Sequence, residues 1–263
     1  MTVFLSVVAL AVAVIAYGSS TLLLSRAANG GVSSALRRPL WWTGTTVQAL
    51  AFLAAFVARH SLPLLVVQPA VTASIAVTAL LGTVLHRWRL SPADWAAMAL
   101  VIVSLAVIGA SGVAGRASSL GLAATISCWI AVLVAGAGAT HRVAARPMTQ
   151  GGLAGLAFGA SAVAARALAA DPAAVLRTTS GLFSLVLLLL GTVVGQLCLT
   201  NALSSGQVTG PVSAMYAVAT VGSVIAGLLW LSDGLRPGWA PAAVVGLVLL
   251  IVGGARLEGS IQS

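Results

Sequence analysis

The sequence has no lysine and only four acidic residues, Asp94, Asp171, Asp233 and Glu258, against thirteen arginines. Charged residues fill 6% of its 263 positions, where an ordinary soluble domain carries about 25%. So little charge cannot cover a water-facing surface, which excludes a soluble globular protein. The 60% hydrophobic content excludes a disordered or fibrous one. Cysteine is scarce too. Cys128 and Cys198 lie in apolar stretches outside any CxxC or metal-ligand spacing, and read as small hydrophobes. His60, His86 and His141 fall between apolar runs and form no HxxxH or HExxH pattern, so neither a metal nor another cofactor is expected. No apolar run contains a carboxylate. That argues against a relay cycling a membrane-embedded Asp or Glu through protonation. It also argues against an intramembrane hydrolase, whose acid/base chemistry needs two positioned titratable groups. No enzyme is expected.

What the chain has in plenty is long apolar runs, with a mean hydropathy of +1.09. Nine can cross a bilayer, which takes about 17–25 helical residues: 3–24, 41–58, 62–85, 95–114, 118–140, 151–170, 181–203, 207–231 and 238–255. Hydrocarbon leaves backbone groups to be satisfied within the chain, so the spans are helices and the fold is an all-α polytopic membrane protein. The first run lacks a basic flank and is too long for a secretory h-region, so it reads as a retained span. The net charge of +9 comes from arginines scattered singly or in pairs. They read as topology signals, and no nucleic-acid partner is expected. Alternating loops place Arg26, Arg37, Arg38, Arg87, Arg89, Arg142, Arg146 and Arg256 on one side, and Arg59, Arg116, Arg166, Arg177 and Arg236 on the other. The richer side is cytoplasmic by the positive-inside rule. The N-terminus then lies outside, the C-terminus inside, and a multi-pass place in the cell (inner) membrane is expected. Trp41, Trp42, Trp88, Trp95, Trp230 and Trp239 fall at or near span ends, as interfacial anchors do.

The chain also resembles itself. Ala16-Tyr17-Gly18-Ser19-Ser20 matches Ala157-Phe158-Gly159-Ala160-Ser161, and Gln68-Pro69-Ala70-Val71 matches Gly210-Pro211-Val212-Ser213, at nearly equal offsets. Ser91-Pro92-Ala93-Asp94-Trp95 and Arg236-Pro237-Gly238-Trp239 follow in turn. Spans 1–4 (residues 1–115) therefore pair with spans 6–9 (residues 146–263), and span 5 (116–145) links them. An odd number of spans between counterparts makes the repeat inverted, as in secondary transporters.

Chemistry must then come from uncharged polar groups. Gln48, Gln68, Thr72, Ser74, Gln196, Asn201 and Tyr216 sit in spans 2, 3, 7 and 8. A buried amide must find a partner, so these residues face the interior, either as a substrate-binding set or as interhelical bonds worth about 0.6 kcal/mol each. Pro69 and Pro211 free backbone carbonyls. They, with Gly18 and Gly159, either shape a cavity or serve as packing kinks and close contacts. Arg166 is the one charge within a predicted span. It either contacts an anionic substrate group or snorkels from its place near a helix end. Gly155-x3-Gly159 and Gly191-x3-Gly195 permit close helix packing, within the chain or in a homodimer.

Tyr17-Gly18-Ser19-Ser20, Arg38-Pro39-Leu40-Trp41-Trp42-Thr43-Gly44 and Leu62-Pro63-Leu64-Leu65-Val66-Val67-Gln68-Pro69 resemble the drug/metabolite transporter superfamily, in its NIPA-like and EamA-like branch. The resemblance covers most of the chain and is sharpest over residues 17–112. It implies five-plus-five inverted helices around a central cavity, here with the first helix absent. Where members often carry Glu, this chain reads Leu85-His86-Arg87-Trp88-Arg89; in the second half Asp233 lies roughly there. The magnesium transport associated with NIPA-like proteins wants carboxylate ligands, and the spans have none. The leading expectation is an alternating-access transporter exporting or exchanging a small organic metabolite or drug-like solute. Alternatives are a flippase for an anionic lipid-linked sugar or phosphate, transport of Mg²⁺ or another cation, and a non-transporting membrane scaffold. The expected partners are the substrate and the bilayer.

Overall fold

A computed structural model describes residues 3–28, 32–86, 91–113, 120–140, 146–204 and 209–260. The expectations on Arg87, Trp88, Arg89, Arg116, His141 and Arg142 lie outside the described residues, as do the side chains of Asp94 and Glu258. The apolar runs form α1 (Val3–Ala27), α3 (Pro39–Arg59), α4 (Leu64–Thr72), α5 (Ser74–His86), α6 (Pro92–Ser111), α7 (Leu122–Thr140), α8 (Pro147–Ala170), α10 (Thr179–Leu203), α11 (Thr209–Trp230) and α12 (Ala240–Ser260). Short helices α2 (Val32–Ala35) and α9 (Ala174–Arg177) lie in connections. Among the described residues six helical stretches are long and apolar enough to cross a membrane, α4 with α5 making one of them, and three apolar stretches are shorter, Trp95–Ser111, Ala214–Trp230 and Ala240–Gly253. The chain is a helical membrane protein. Among the described residues the one departure from all-α is an antiparallel pair of two-residue strands, β1 (Gly112–Val113) and β2 (Gly234–Leu235).

Residue size is sorted inside out. α8 buries its Gly, Ala and Ser positions along nearly its whole length, while α10 turns Leu182, Phe183, Leu189 and Leu190 outward. Large apolar groups outside and small ones inside suit a chain whose outer solvent is hydrocarbon, because small residues let helix backbones approach. Gly151 and Gly155 are the clearest case. A Cβ on either would strike a backbone carbonyl oxygen of α11, that of Pro211 or Met215. α8 packs on α10 and α11, with α7 alongside; α1 packs on α3, α4 and α5; α6 packs on α12; and α4 meets α11.

The 62–85 run is two helices meeting at Ala73. Pro69 lies inside α4, lacks an N–H and crowds the preceding turn. Pro211 does not match it. It is the third residue of α11, where a missing N–H leaves no bond unmade, and α11 continues unbroken to Trp230. The expected pair of equivalent kinks is thus one interruption and one helix start.

Two charges expected in loops are drawn inward. Arg59 is the last residue of α3 and 2% exposed. Asp233 lies in the turn after α11 yet is only 5% exposed. Ser232 adopts φ 55° there, a left-handed conformation costing a non-glycine residue about 1–2 kcal/mol. The Asp233 N–H donates to the Gly227 carbonyl at 3.1 Å, folding the segment back on α11. Gly227 gives the carboxylate room: a Cβ there would lie 3.1 Å from Asp233 Oδ2.

Candidate functional site

α3 presents one face with Trp41, Thr45, Gln48, Phe52 and Arg59, at helical spacings of four, three, four and seven. This face walls a cavity of about 280 Å³ completed by Tyr17 and Ser20 of α1, Gln68 and Val71 of α4, Phe158 of α8, Gln196 of α10 and Tyr216 of α11. At about 1.5 Å per residue, Trp41 and Arg59 stand about 27 Å apart along α3. The cavity is therefore long and narrow. Its volume falls near the lower end of the roughly 300–1,000 Å³ usual for small-molecule sites. Most of the wall is apolar, with a few polar groups facing in.

Those polar groups are under-used by the protein. Gln48 Oε1, Gln196 Nε2 and Thr45 Oγ1 are buried and bond to no protein atom among the described residues. Such atoms cost about 1–3 kcal/mol each when nothing replaces water, and native structures hold few of them. Glutamines serving as helix–helix ties would be bonded to each other or to backbone. Replacing Gln48 and Gln196 with leucine is therefore expected to leave SDS-induced unfolding in mixed micelles unchanged, or to raise the midpoint. A fall near the roughly 0.6 kcal/mol of an interhelical bond for each would mark them as ties instead.

At the far end of α3, the Arg59 guanidinium lies over the Phe52 ring, 5.4 Å from its centroid. Arg59 Nη2 donates to Gln68 Oε1 at 3.3 Å. Its Nε and Nη1 are buried and bond to no protein atom among the described residues. Behind Arg59 lies a second layer. Arg166 Nη1 donates to the Arg59 carbonyl at 2.6 Å, and Arg166 Nη2 pairs with Asp233 Oδ1 at 3.5 Å. Asp233 Oδ2 accepts from the Leu64 N–H at 2.8 Å. Because Pro63 precedes Leu64 as the N-cap of α4, this carboxylate caps α4 from a distant segment, where the helix dipole favours negative charge. At the opposite end Trp41 Nε1 donates to Thr200 Oγ1 at 3.3 Å.

Of the residues singled out in the sequence, Gln48, Gln68, Gln196 and Tyr216 converge on the cavity. The others do not line it. Thr72 bonds Thr220 and Ser74 bonds the Tyr216 hydroxyl, at 2.8 Å for the latter, joining the α4–α5 break to α11. Asn201 Nδ2 donates to the Ala139 carbonyl at 3.4 Å, joining α10 to α7. Gly18 admits Val77, whose Cβ would lie 2.7 Å from an added Cβ. Gly159 sits against Ala219 and borders a smaller cleft of about 130 Å³ beside Cys128. Arg166 is 2% exposed; it neither snorkels nor reaches the cavity, because Asp233 holds it. Tyr17, Trp41, Phe158 and above all Arg59 were missed as site residues. Arg59 had a signal, since it continues the helical face of Thr45, Gln48 and Phe52. No protein-family model matches the sequence, and neither a curated protein nor a solved structure matches it.

Proposed function

We propose that the chain is an alternating-access membrane transporter of a small organic solute, built on the nine-span inverted repeat of the drug/metabolite transporter superfamily, with its N-terminus outside. The observation that carries this reading is the pair Gln48 and Gln196. They are counterparts in the repeat, they come from opposite halves, and their amides face one cavity with atoms that no protein group among the described residues satisfies. The wall draws α1, α3 and α4 from one half and α8, α10 and α11 from the other. Neighbour order supports the repeat as well. α1 meets the next two spans of its half, as α8 meets the next two of its own, and α6 meets its counterpart α12. The alternation of loops agrees with the bonds at each end, where residues 59, 64, 166 and 233 meet at one and 41 and 200 at the other. Cation transport is disfavoured, because the described wall carries Arg59 and no carboxylate.

The test needs no substrate. In a Cys128→Ser, Cys198→Ser background, Gln48→Cys is expected to react with a small membrane-impermeant methanethiosulfonate in both right-side-out and inside-out vesicles. Reaction from one face only, or from neither, overturns alternating access and leaves a scaffold.

A further inference from the structure

The cavity has a side as well as ends. Its lining includes Ala49 of α3 and Val193 and Leu197 of α10. All three are exposed, Val193 to 57% and Leu197 to 40%. In a membrane protein an exposed face at mid-helix meets lipid, so the wall between α3 and α10 is a slit onto the bilayer. α8 and α1 seal the cavity elsewhere, through Phe158 and Ala162 and through Tyr17, Ser20 and Thr21.

Charge settles what such a slit admits. The buried cluster at the Arg59 end holds two guanidiniums and one carboxylate among the described residues, and the carboxylate pairs with Arg166. Arg59 is left as a cation with 2% exposure, two of its N–H-bearing nitrogens bonding no protein atom among the described residues, on a cavity wall. A buried charge is tolerated when it is paired and hydrogen-bonded, and a guanidinium fork matches a phosphate or carboxylate. The volume is too small for a whole lipid but takes a head group, while the slit gives an apolar chain a way to remain in hydrocarbon. We propose that the ligand of this cavity is an anionic lipid of the surrounding bilayer, its phosphate held by Arg59 and its acyl chain leaving between α3 and α10. This rests on the cavity being the transporter's substrate site, and it makes that substrate a lipid of the bilayer in place of a soluble solute.

The purified full chain in a neutral detergent is titrated with phosphatidylglycerol, phosphatidylcholine or sodium phosphate, and the thermal midpoint is followed, since a ligand of the folded state raises it. Phosphatidylglycerol is expected to raise the midpoint at lower concentration than phosphatidylcholine, and sodium phosphate to leave it in place. Loss of a charged hydrogen-bond donor weakens binding about tenfold to a hundredfold, so Arg59→Gln shifts the phosphatidylglycerol titration by that factor. Arg59→Lys shifts it less, and Arg177→Gln, at an exposed site, not at all. Leu197→Trp, at a cavity-lining residue of the slit itself, blocks the exit of the acyl chain and weakens phosphatidylglycerol and any weaker phosphatidylcholine binding alike. Equal titrations for the two lipids overturn the proposal, as does an unshifted Arg59→Gln or Leu197→Trp. An equal response to sodium phosphate makes the ligand a soluble anion and also overturns it. Lipid binding together with one-sided access at Gln48→Cys sinks the transporter and keeps the lipid. Two-sided access with no preference for phosphatidylglycerol does the reverse.

Discussion

Asp233→Ala is expected to lower stability by about 3–5 kcal/mol, the usual cost of removing one partner of a buried ion pair. The change strips the carboxylate from Arg166 and removes the cap from the Leu64 N–H at the same time. A buried guanidinium without its counter-charge is worse placed than no charge, so the damage lies mostly in what remains. That gives the prediction its internal check. Arg166→Met with Asp233→Leu is expected to recover most of the loss, since a buried pair replaced by apolar residues of similar size is often neutral. SDS unfolding of the wild type, Arg166→Met, Asp233→Leu and the double variant completes the cycle. Losses that simply add would show the two side chains to be uncoupled and would refute the pair as a unit.

The second large effect lies at Gly155. Leucine there would push against the Met215 carbonyl oxygen and Val218, whose Cβ would lie 2.9 Å from the added Cβ. A carbonyl of a neighbouring helix cannot rotate away as a side chain can, so α8 and α11 must separate. The expected cost is about 3 kcal/mol, the upper part of the usual overpacking range. Gly159→Ala, one turn along the same face, is the control. Its Cβ would meet Ala219 Cα at 3.5 Å, an ordinary contact, and alanine lowers unfolded-chain entropy by about 0.4–1 kcal/mol. It is expected to be neutral or stabilising. Equal unfolding midpoints for the two variants would contradict the close α8–α11 packing.

How much of this was legible beforehand depends on the range of each interaction. Helices follow from local composition, because any apolar run of that length has one way to satisfy its backbone in hydrocarbon. Gln48, Gln68, Gln196 and Tyr216 were recognisable because polar groups in apolar runs must face inward. Which of the polar set line a cavity and which tie helices together was not legible. Thr72 and Ser74 differ from Gln48 only in having Thr220 and Tyr216 opposite them, nearly 150 positions later in the chain. Arg59 and Asp233 read as loop charges for the same reason: each is buried by neighbours far away in sequence. Pro211 misled through similarity itself, since a proline has opposite effects in the first turn of a helix and in its middle.

The strand pair of Gly112–Val113 with Gly234–Leu235 gains meaning from its neighbours. It lies with the Arg236 N–H to Ser111 carbonyl bond of 2.9 Å, in the turn that also carries Asp233. Apart from the Thr72–Thr220 and Ser74–Tyr216 bonds at the α4–α5 break, fastenings between the first and second halves therefore crowd one rim of the molecule. At the other rim, among the described hydrogen bonds, Trp41 to Thr200 is the one that crosses. On the proposed rocking of the two halves, a body latched so unevenly is expected to swing about its latched edge, with the end beside Trp41 parting first.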